Sequence, residues 1–502
     1  MKQYLNVLLF LFCGVSISAQ QIKWSPVITD KDYDYVKIIG QNEEGFYVLK
    51  SNISFEDERD RVGFRGRHYS ISFFTDEMAL KWTHELESPI KDGRIVSVNM
   101  VNERVLVTFS FADKKQKVYR IFGQYVNRSG EYTDSSKAIA ETIYDKIDGK
   151  EKPDVFISQN QNRIACAYKN LPANKEEQSY HVVITDASLA IIYKKDFTVP
   201  FSEKKFVSEN LVLSNEGGFY LFGIHYTNDK KAKDPGESFY VIYHGDNPDG
   251  EVRSEEINLS SASAGGKKFI IGASPVYDNI NHKIVVAGFY SAGSVYSING
   301  TFYYALRTDT VQQAEVRTTT FDANFLMKFR GEIKRNNNNS ELVNYSINRI
   351  ILRRDGGAVI IAEGVSSTYS SYYDYFTRMY ITHRYYLYSN IIALSVNPDG
   401  SILWSDVISK DQQSRDDGGY YSSYCSDIYA NKMYFVYNKY IGDNPSILLS
   451  TINSSGEQKT DVLFNEDEKI LSIPMGGKQI AEDELVMPAL REGKLRFVKV
   501  SF

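Results

Sequence analysis

All three tryptophans of this 502-residue chain occur in the same short pattern of apolar and polar residues. The three copies are Ile22-Lys23-Trp24-Ser25, Leu80-Lys81-Trp82-Thr83 and Ile402-Leu403-Trp404-Ser405. Each copy has the alternation that a half-buried β-strand requires. Two copies end a longer module, whereas the first copy has no module before it. The strands that pair with this first copy must therefore come from another part of the chain.

A second recurring segment, an apolar run entered through a tight polar turn, divides the chain into eight modules. The runs are residues 44–49, 103–107, 162–166, 217–221, 282–287, 356–361, 431–436 and 484–487. Their spacing of roughly 50 to 75 residues is typical of the blades of a β-propeller. A content of 14% aromatic residues with only 12 prolines also favours many short strands. The sequence therefore predicts an all-β fold, a single propeller of about eight four-stranded blades, or seven if one module is an insertion.

The two ends of the chain complement each other. Residues 495–502 resemble the third strand of the module at 390–396, and residues 21–24 continue them as residues 401–404 do in that module. We expect residues 470–502 plus 21–29 to form the last blade of a propeller domain that spans 21–502. Trp24, Phe497 and Val500 are the expected ring-closing residues. Such pairing leaves neither terminal strand as an open edge.

Residues 1–20 predict a cleavable export signal, with Lys2 before an apolar run at 7–15 and Ser18-Ala19-Gln20 at the end. The expected location is the periplasm or the periplasmic side of an outer membrane. The bulky residues at 10–12 disfavour a lipid anchor on Cys13. No later stretch approaches the length of about 20 apolar residues that crosses a bilayer. A net charge of -5 argues against a nucleic-acid partner.

Long connections are predicted on one face of the ring, which carries the second-to-third-strand loops and the links between blades. We call it the long-loop face, and the opposite face the short-turn face. The long connections are residues 50–68, 168–180, 225–237, 290–302 and 364–390. Long loops on a rigid scaffold commonly bind partners. The functional surface is therefore expected on the long-loop face.

The longest connection is rich in tyrosine and arginine, the residues that anchor many protein interfaces. The candidate partner-binding residues are Tyr369, Tyr372, Tyr373, Tyr375, Arg378, Tyr380, Arg384, Tyr385 and Tyr386. The alternative is an extended hairpin whose tyrosines cover one another and the neighbouring blade. The run at 420–424 is expected on the same face, where it would extend the patch.

No catalytic motif stands out, and no cofactor or metal is predicted. The seven histidines have no metal-ligand spacing, and the glycine pairs have the context of turns.

The basic residues at 59–68 are interpreted as a solvated loop, because four acidic residues lie among or beside them. Cys166 is expected to be a buried thiol, and no spacing indicates a disulfide with Cys425. A glycosidase or lyase stays open, because carboxylates could pair across a ring.

Residues 385–404 and the following Asp416-Asp417-Gly418-Gly419-Tyr420-Tyr421 resemble exported propeller-like proteins of Bacteroidota. The resemblance is specific over 360–425 and architectural elsewhere. It implies a role such as that of the plug at the periplasmic opening of the type IX secretion translocon, and it carries no catalytic residues over. The leading hypothesis is a non-enzymatic propeller that binds a protein, with an outer-membrane translocon or barrel as partner. The alternative is a carbohydrate-binding or carbohydrate-active propeller.

Overall fold

The computed structural model describes most of the chain. The described residues are 20–29, 33–52, 68–113, 115–133, 135–143, 153–170, 176–226, 238–246, 248–259, 268–292, 297–308, 315–335, 342–442, 446–465 and 471–502. The predicted export signal, up to residue 19, and the basic residues 59–67 lie outside this part of the chain.

The described residues form eight antiparallel sheets, each built mainly from four consecutive strands. The chain starts with β1 (Gln21–Trp24) and β2 (Ile28–Thr29), which belong to the last blade. Blade 1 contains β3 (Tyr35–Asn42), β4 (Gly45–Ser51), β5 (Tyr69–Thr75) and β6 (Leu80–Leu86). Blade 2 contains β7 (Arg94–Val101), β8 (Arg104–Asp113), β9 (Val118–Val126) and β10 (Lys137–Ile143). Blade 3 contains β11 (Asp154–Ile157), β12 (Arg163–Asn170), β13 (Gln178–Asp186) and β14 (Ile191–Val199).

The remaining blades follow the same order, and blade 6 has one extra strand. Blade 4 contains β15 (Phe206–Leu213), β16 (Phe219–Tyr226), β17 (Ser238–Gly245) and β18 (Arg253–Ile257). Blade 5 contains β19 (Phe269–Asp278), β20 (Lys283–Ser291), β21 (Gly300–Arg307) and β22 (Glu315–Thr320), and helix α1 (Ala323–Arg335) follows it. Blade 6 contains β23 (Tyr345–Leu352), β24 (Ala358–Asp374), β25 (Met379–Val396), β26 (Ile402–Ile408) and β27 (Gln412–Arg415).

The last two blades complete the ring. Blade 7 contains β28 (Cys425–Tyr429), β29 (Lys432–Asn438), β30 (Ser446–Asn453) and β31 (Gln458–Asn465). Blade 8 contains β32 (Leu471–Ser472), β33 (Lys478–Ala481), β34 (Glu484–Arg491) and β35 (Lys494–Ser501), with a 3-10 turn at Pro474–Gly476. The predicted all-β propeller is confirmed, and each of the eight apolar runs found in the sequence is the second strand of a blade.

The predicted closure of the ring is also confirmed. Strand β1 pairs antiparallel with β35, with Ile22 opposite Val500 and Trp24 opposite Val498. Backbone bonds continue past the strand, because Ser25 N–H donates to the Phe497 carbonyl (2.9 Å) and the Ser25 hydroxyl accepts from Phe497 N–H (2.8 Å). The first residues described therefore supply the outer strand of blade 8.

Eight buried apolar clusters hold the ring together, each between two neighbouring blades. The cluster between blades 8 and 1 joins Phe497 to Phe46 and Phe74, at ring-centroid distances of 5.4 and 4.6 Å. Comparable clusters join blades 1 and 2 and every later pair up to 7 and 8. Burial of apolar surface on both sides of every sheet makes the ring a continuous core.

The three tryptophans are not equivalent in the structure. The indole N–H groups of Trp82 and Trp404 donate to the carbonyls of Arg128 and Ser454, at 2.8 and 3.0 Å, in the third-to-fourth-strand turn of the next blade. Trp24 packs instead against Phe464 of the preceding blade (5.1 Å). A one-residue difference in register turns a strand residue to the opposite face. Trp24 therefore occupies the same strand of its blade as the other two tryptophans but lies on the opposite face.

Candidate functional site

A long hairpin projects from the long-loop face of blade 6. Strands β24 and β25 have 17 and 18 residues, and their pairing continues from Val365↔Tyr388 to Asp374↔Met379, beyond the blade itself. At the tip, the Asp374 carboxylate accepts hydrogen bonds from Phe376 N–H (2.9 Å) and the Thr377 hydroxyl (2.7 Å). We call residues 365–388 the Tyr/Arg hairpin. The segment is thus an extended hairpin that continues beyond the blade.

One face of the Tyr/Arg hairpin is built around Arg384. Its guanidinium carbon lies 5.4 Å from the ring centre of Tyr369 and 4.9 Å from that of Tyr386, which are cation–π distances. Further along the same face, Tyr373 and Tyr380 are cross-strand partners in edge contact at 5.2 Å. Because alternate residues of a strand share a face, these five side chains form one continuous surface.

The opposite face is tied to the link between blades 6 and 7. The ring of His383 stacks with Tyr372 at 5.8 Å, and its Nδ1 lies 2.6 Å from an oxygen of Asp416. The other oxygen of Asp416 accepts from Arg384 N–H (2.8 Å). These hydrogen bonds lower the pKa of the Asp416 carboxyl, the bond from the Arg384 backbone having the largest effect and that from His383 the next. Tyr385 lies in the part of β25 that pairs with β27.

The outer part of the Tyr/Arg hairpin exposes an unusual amount of aromatic surface. Seven of the eighteen large hydrophobic side chains exposed in the described residues lie at 369–380. They are Tyr369, Tyr372, Tyr373, Tyr375, Phe376, Met379 and Tyr380. Tyr375 is 84% and Phe376 100% exposed. Arg378 lies between Phe376 and Met379, with an exposed side chain and a φ of +54°. Tyr385 and Tyr386 are only partly exposed, so the accessible patch is the tip and the middle of the hairpin.

The expectation that the tyrosines at 420–424 extend this patch is wrong. Tyr420 accepts from Val36 N–H and donates to the Val36 carbonyl, while Tyr421 donates to the Leu490 carbonyl (3.2 Å). Both tyrosines pack on the cluster between blades 8 and 1. Burial raises the pKa of Tyr421 to about 12. Residues 409–424 therefore form a strap that runs from the base of the hairpin to the blades at the ring closure.

A cluster of buried polar side chains lies under the hairpin and was not predicted from the sequence. The Lys410 ammonium lies 2.6 Å from a carboxylate oxygen of Glu363, and both side chains are fully buried. The Ser423 hydroxyl donates to the Glu363 carboxylate (2.6 Å), and the Lys410 ammonium donates to the side-chain amide oxygen of Gln412 (2.9 Å). Desolvation lowers the pKa of Lys410, against the opposing effect of Glu363. The residues come from β24 and the strap, so no local pattern could have paired them.

The centre of the ring holds a cavity of about 480 Å³ towards the short-turn face. The inner strands of blades 3 to 6 line it with mainly apolar residues and a few amides. Among the described residues in its wall, Arg349 is the single charged side chain.

Within the part of the chain that the structure describes, no group of three or more metal-ligating residues occurs. Nor does any described helix combine the length and apolarity needed to cross a bilayer.

The two cysteines that follow the predicted signal are buried, unpaired thiols. Cys166 lies in the core between blades 2 and 3, where burial raises the pKa of its thiol. Cys425 lies between blades 7 and 8, and burial raises its pKa as well. Both thiols therefore act as apolar packing groups.

No protein-family model matches the chain, and no curated protein matches it. Among solved structures, the chain is similar to the polysaccharide lyase Uly1, with 10% identity over 94% of this chain and 99% of that one and a TM-score of 0.38. The WD40 domain of SCAP from fission yeast has 7% identity over 96% and 95% of the two chains and a TM-score of 0.42. The β-propeller domain of the Trilobed protease from Pyrococcus furiosus has 12% identity over 82% and 95%, with a TM-score of 0.34.

Proposed function

We propose that this propeller is an exported, non-enzymatic binding module that captures a protein partner through the Tyr/Arg hairpin. The proposed place of action is the periplasm or the periplasmic side of an outer membrane. The proposed partner is an outer-membrane translocon, whose pore the ring would occlude as a plug. This part of the proposal rests on the export signal predicted at 1–20 and on the resemblance over residues 360–425.

One observation carries the binding role: the clustering of exposed aromatic rings on a single ordered hairpin. Large exposed apolar patches on soluble proteins commonly mark interaction sites, and tyrosine and arginine dominate the residues that contribute most to binding. The hairpin is held at its base by Asp416 and by β27. The ring of Tyr373 also contacts those of Tyr375 and Tyr380. Little conformational entropy should therefore be lost when a partner binds.

Recovery of a membrane partner with the tagged full-length protein tests the proposal. The triple variant Tyr375→Ala, Phe376→Ala, Tyr380→Ala should lose the partner, because it removes three exposed rings at the tip. The matched control is Ile143→Ala, Ile191→Ala, Ile280→Ala, which removes exposed apolar side chains on other blades. Both variants should keep the parent melting temperature. The proposal would be wrong if the protein were recovered from native membranes only as a free monomer and the tip substitutions did not change that result.

A second candidate function, binding of an acidic glycan, is favoured by the central cavity. The side chains of Arg349 and Asn210 lie in its wall. A guanidinium in a partly apolar cavity is suited to a carboxylate. Titration calorimetry with an oligouronate should then give binding that Arg349→Ala abolishes and Arg354→Ala, an exposed arginine on the adjoining turn, preserves. Absence of heat at millimolar oligouronate would exclude this candidate.

A further inference from the structure

The two long edges of the Tyr/Arg hairpin differ in how they are covered. The edge of β25 pairs with β27 from Tyr385 to Tyr388, and the backbone of Arg384 is bonded to Asp416. The edge of β24 loses its neighbour β23 after Gly364, and Val365 N–H makes the last backbone bond, to the Asn344 carbonyl (2.9 Å). From Ser366 to Tyr373, within the described part of the chain, β24 has a ladder partner on one side only. Alternate backbone N–H and C=O groups along about 27 Å of strand therefore have no strand to pair with.

The sequence of this edge is unlike that of the other exposed edges. Natural sheets protect their edges with charged residues, proline, bulges or very short strands. The outermost strand of every blade follows this rule, because each contains at least one charged residue. These charges include Lys23 in β1, Lys81 in β6, Lys137 in β10, Lys194 in β14, Glu255 in β18, Arg317 in β22, Asp406 in β26 and Lys459 in β31. Residues 366–373 read Ser-Ser-Thr-Tyr-Ser-Ser-Tyr-Tyr and contain neither a charge nor a proline.

The side chains beside the open edge indicate what a strand added there would need. Tyr369 and Tyr373 lie on one face of β24 and Thr368 and Tyr372 on the other, so cross-strand neighbours would be aromatic or β-branched. On the first face, the guanidinium of Arg384 donates to the Ser367 hydroxyl (3.3 Å), and its Nε–H is buried without an acceptor among the described residues. The hairpin carries Arg378 and Arg384 against the single acid Asp374, in a chain of net charge -5. The charge complement is therefore an acidic group.

We propose that the open edge of β24 at residues 366–373 accepts an extended, acidic strand of the protein partner by antiparallel or parallel β-strand addition. The inference rests on the proposed function, because it specifies how that same hairpin holds its partner. Main-chain hydrogen bonds would give affinity, and the tyrosines and Arg384 would select β-branched, aromatic and acidic side chains. The strap leaves this edge free while it covers the base of the other one.

A fluorescent octapeptide of alternating threonine and valine with two glutamates is the probe, added to the full-length protein in an anisotropy titration. The same peptide with its four central backbone nitrogens methylated keeps the side chains but cannot donate to an edge. We expect the unmodified peptide to bind and the methylated peptide to bind at least tenfold more weakly. Equal binding of the two peptides, or no binding at 1 mM, would overturn strand addition.

A pair of glutamate substitutions localises the contact. Ser371 and Thr382 are cross-strand partners on one face, both exposed and bonded to each other through their hydroxyls (2.7 Å). Ser371→Glu places a negative charge on the open edge strand and should weaken binding of the glutamate-containing peptide at least tenfold, whereas Thr382→Glu places the same charge on β25 and should change it less than threefold. Equal effects of the two glutamates would contradict the assignment to β24.

The remaining outcomes separate this inference from the proposed function. If the tip triple-alanine variant loses the membrane partner while the methylated peptide binds like its parent, strand addition fails and the docking role stands. If the tip variant keeps the partner, the docking role itself fails. Concentration-dependent dimers in sedimentation, abolished by Ser371→Glu, would assign the edge to a second copy of this chain and overturn the choice of partner.

Discussion

At the scale of single residues, the interior of the ring contains ionisable groups that no sequence pattern predicts. Asp427 lies on the inner strand β28 of blade 7 and is fully buried. Burial raises the pKa of its carboxyl to about 7, a shift that the backbone of Ile428 and the Arg349 guanidinium oppose and that Asp483 supports. A carboxyl of this kind carries a proton in the folded ring well above its usual titration range.

The pKa of Asp427 predicts a pH-dependent effect of the isosteric change Asp427→Asn. Since the folded pKa lies above the unfolded value of 3.8, ionisation costs stability increasingly from about pH 4 to pH 7. The variant should therefore gain stability relative to the parent as pH rises, by about 2 kcal/mol or more at pH 8 and little at pH 4. Denaturant unfolding at pH 5 and pH 8 measures the difference. A difference independent of pH would contradict the assignment, and the exposed control Asp374→Asn should show no gain at pH 8.

At the scale of secondary-structure elements, the strap links two parts of the molecule that are distant in sequence. Its first half pairs with β25 and holds the hairpin base through Asp416. Its second half hydrogen-bonds to blades 8 and 1 through Tyr420 and Tyr421. The orientation of the Tyr/Arg hairpin is therefore fixed relative to the ring closure.

The change Asp416→Ala should loosen the hairpin without opening the ring. It removes the acceptor of the Arg384 N–H and His383 hydrogen bonds, so amide exchange across residues 379–386 should accelerate at least tenfold, while β34 and β35 keep their protection. In the parent, the pKa of Asp416 is lowered, so this restraint is complete above about pH 4 and is lost as pH falls through the lower folded value. Exchange mass spectrometry measures both effects. Unchanged exchange in the hairpin, or the same acceleration in the outer-turn control Asp399→Ala, would refute the restraint.

Sequence patterns predicted where the strands lie better than they predicted which side chains pack against one another. The apolar second strands could be found because each is a local run after a turn, and the end pairing followed from the match of residues 21–24 to 401–404. The face of the blade on which Trp24 lies could not be predicted, because a one-residue difference in strand register decides it. Tyr420 and Tyr375 belong to equally tyrosine-rich segments, yet Tyr420 is partly buried and hydrogen-bonded to Val36, whereas Tyr375 is exposed. Only the path of the strap across the ring distinguishes them.

At the scale of the whole molecule, the ring is a scaffold whose stability depends on its closure. Each blade is packed against two neighbours, and blade 8 obtains its outer strand from the start of the chain. In a repeat protein each unit gains stability mainly from contacts with its neighbours, so an opened interface weakens the entire array. A closed ring also holds the hairpin base at a fixed position on the long-loop face.

A chain that begins at Thr29 should lose cooperative unfolding or aggregate. It lacks β1, the pairing of Ile22 with Val500 and the contact of Trp24 with Phe464, and it leaves β35 as an open edge. Calorimetry against a chain that begins at Gln20 measures the effect. Addition of a peptide of residues 20–29 should restore part of the lost transition, whereas an unchanged melting curve of the truncated chain would refute the closure.

Photo-crosslinking in native membranes tests the central claim, capture of a protein partner by the Tyr/Arg hairpin, most directly. A photoreactive phenylalanine analogue at Phe376, which is fully exposed at the tip, is compared with the same analogue at Ile280, which is 74% exposed on the short-turn face. The proposed function predicts one adduct with an outer-membrane protein from position 376, lost when Tyr375 and Tyr380 are replaced by alanine, and none from position 280. No adduct at position 376, or the same adducts from both positions, would contradict it.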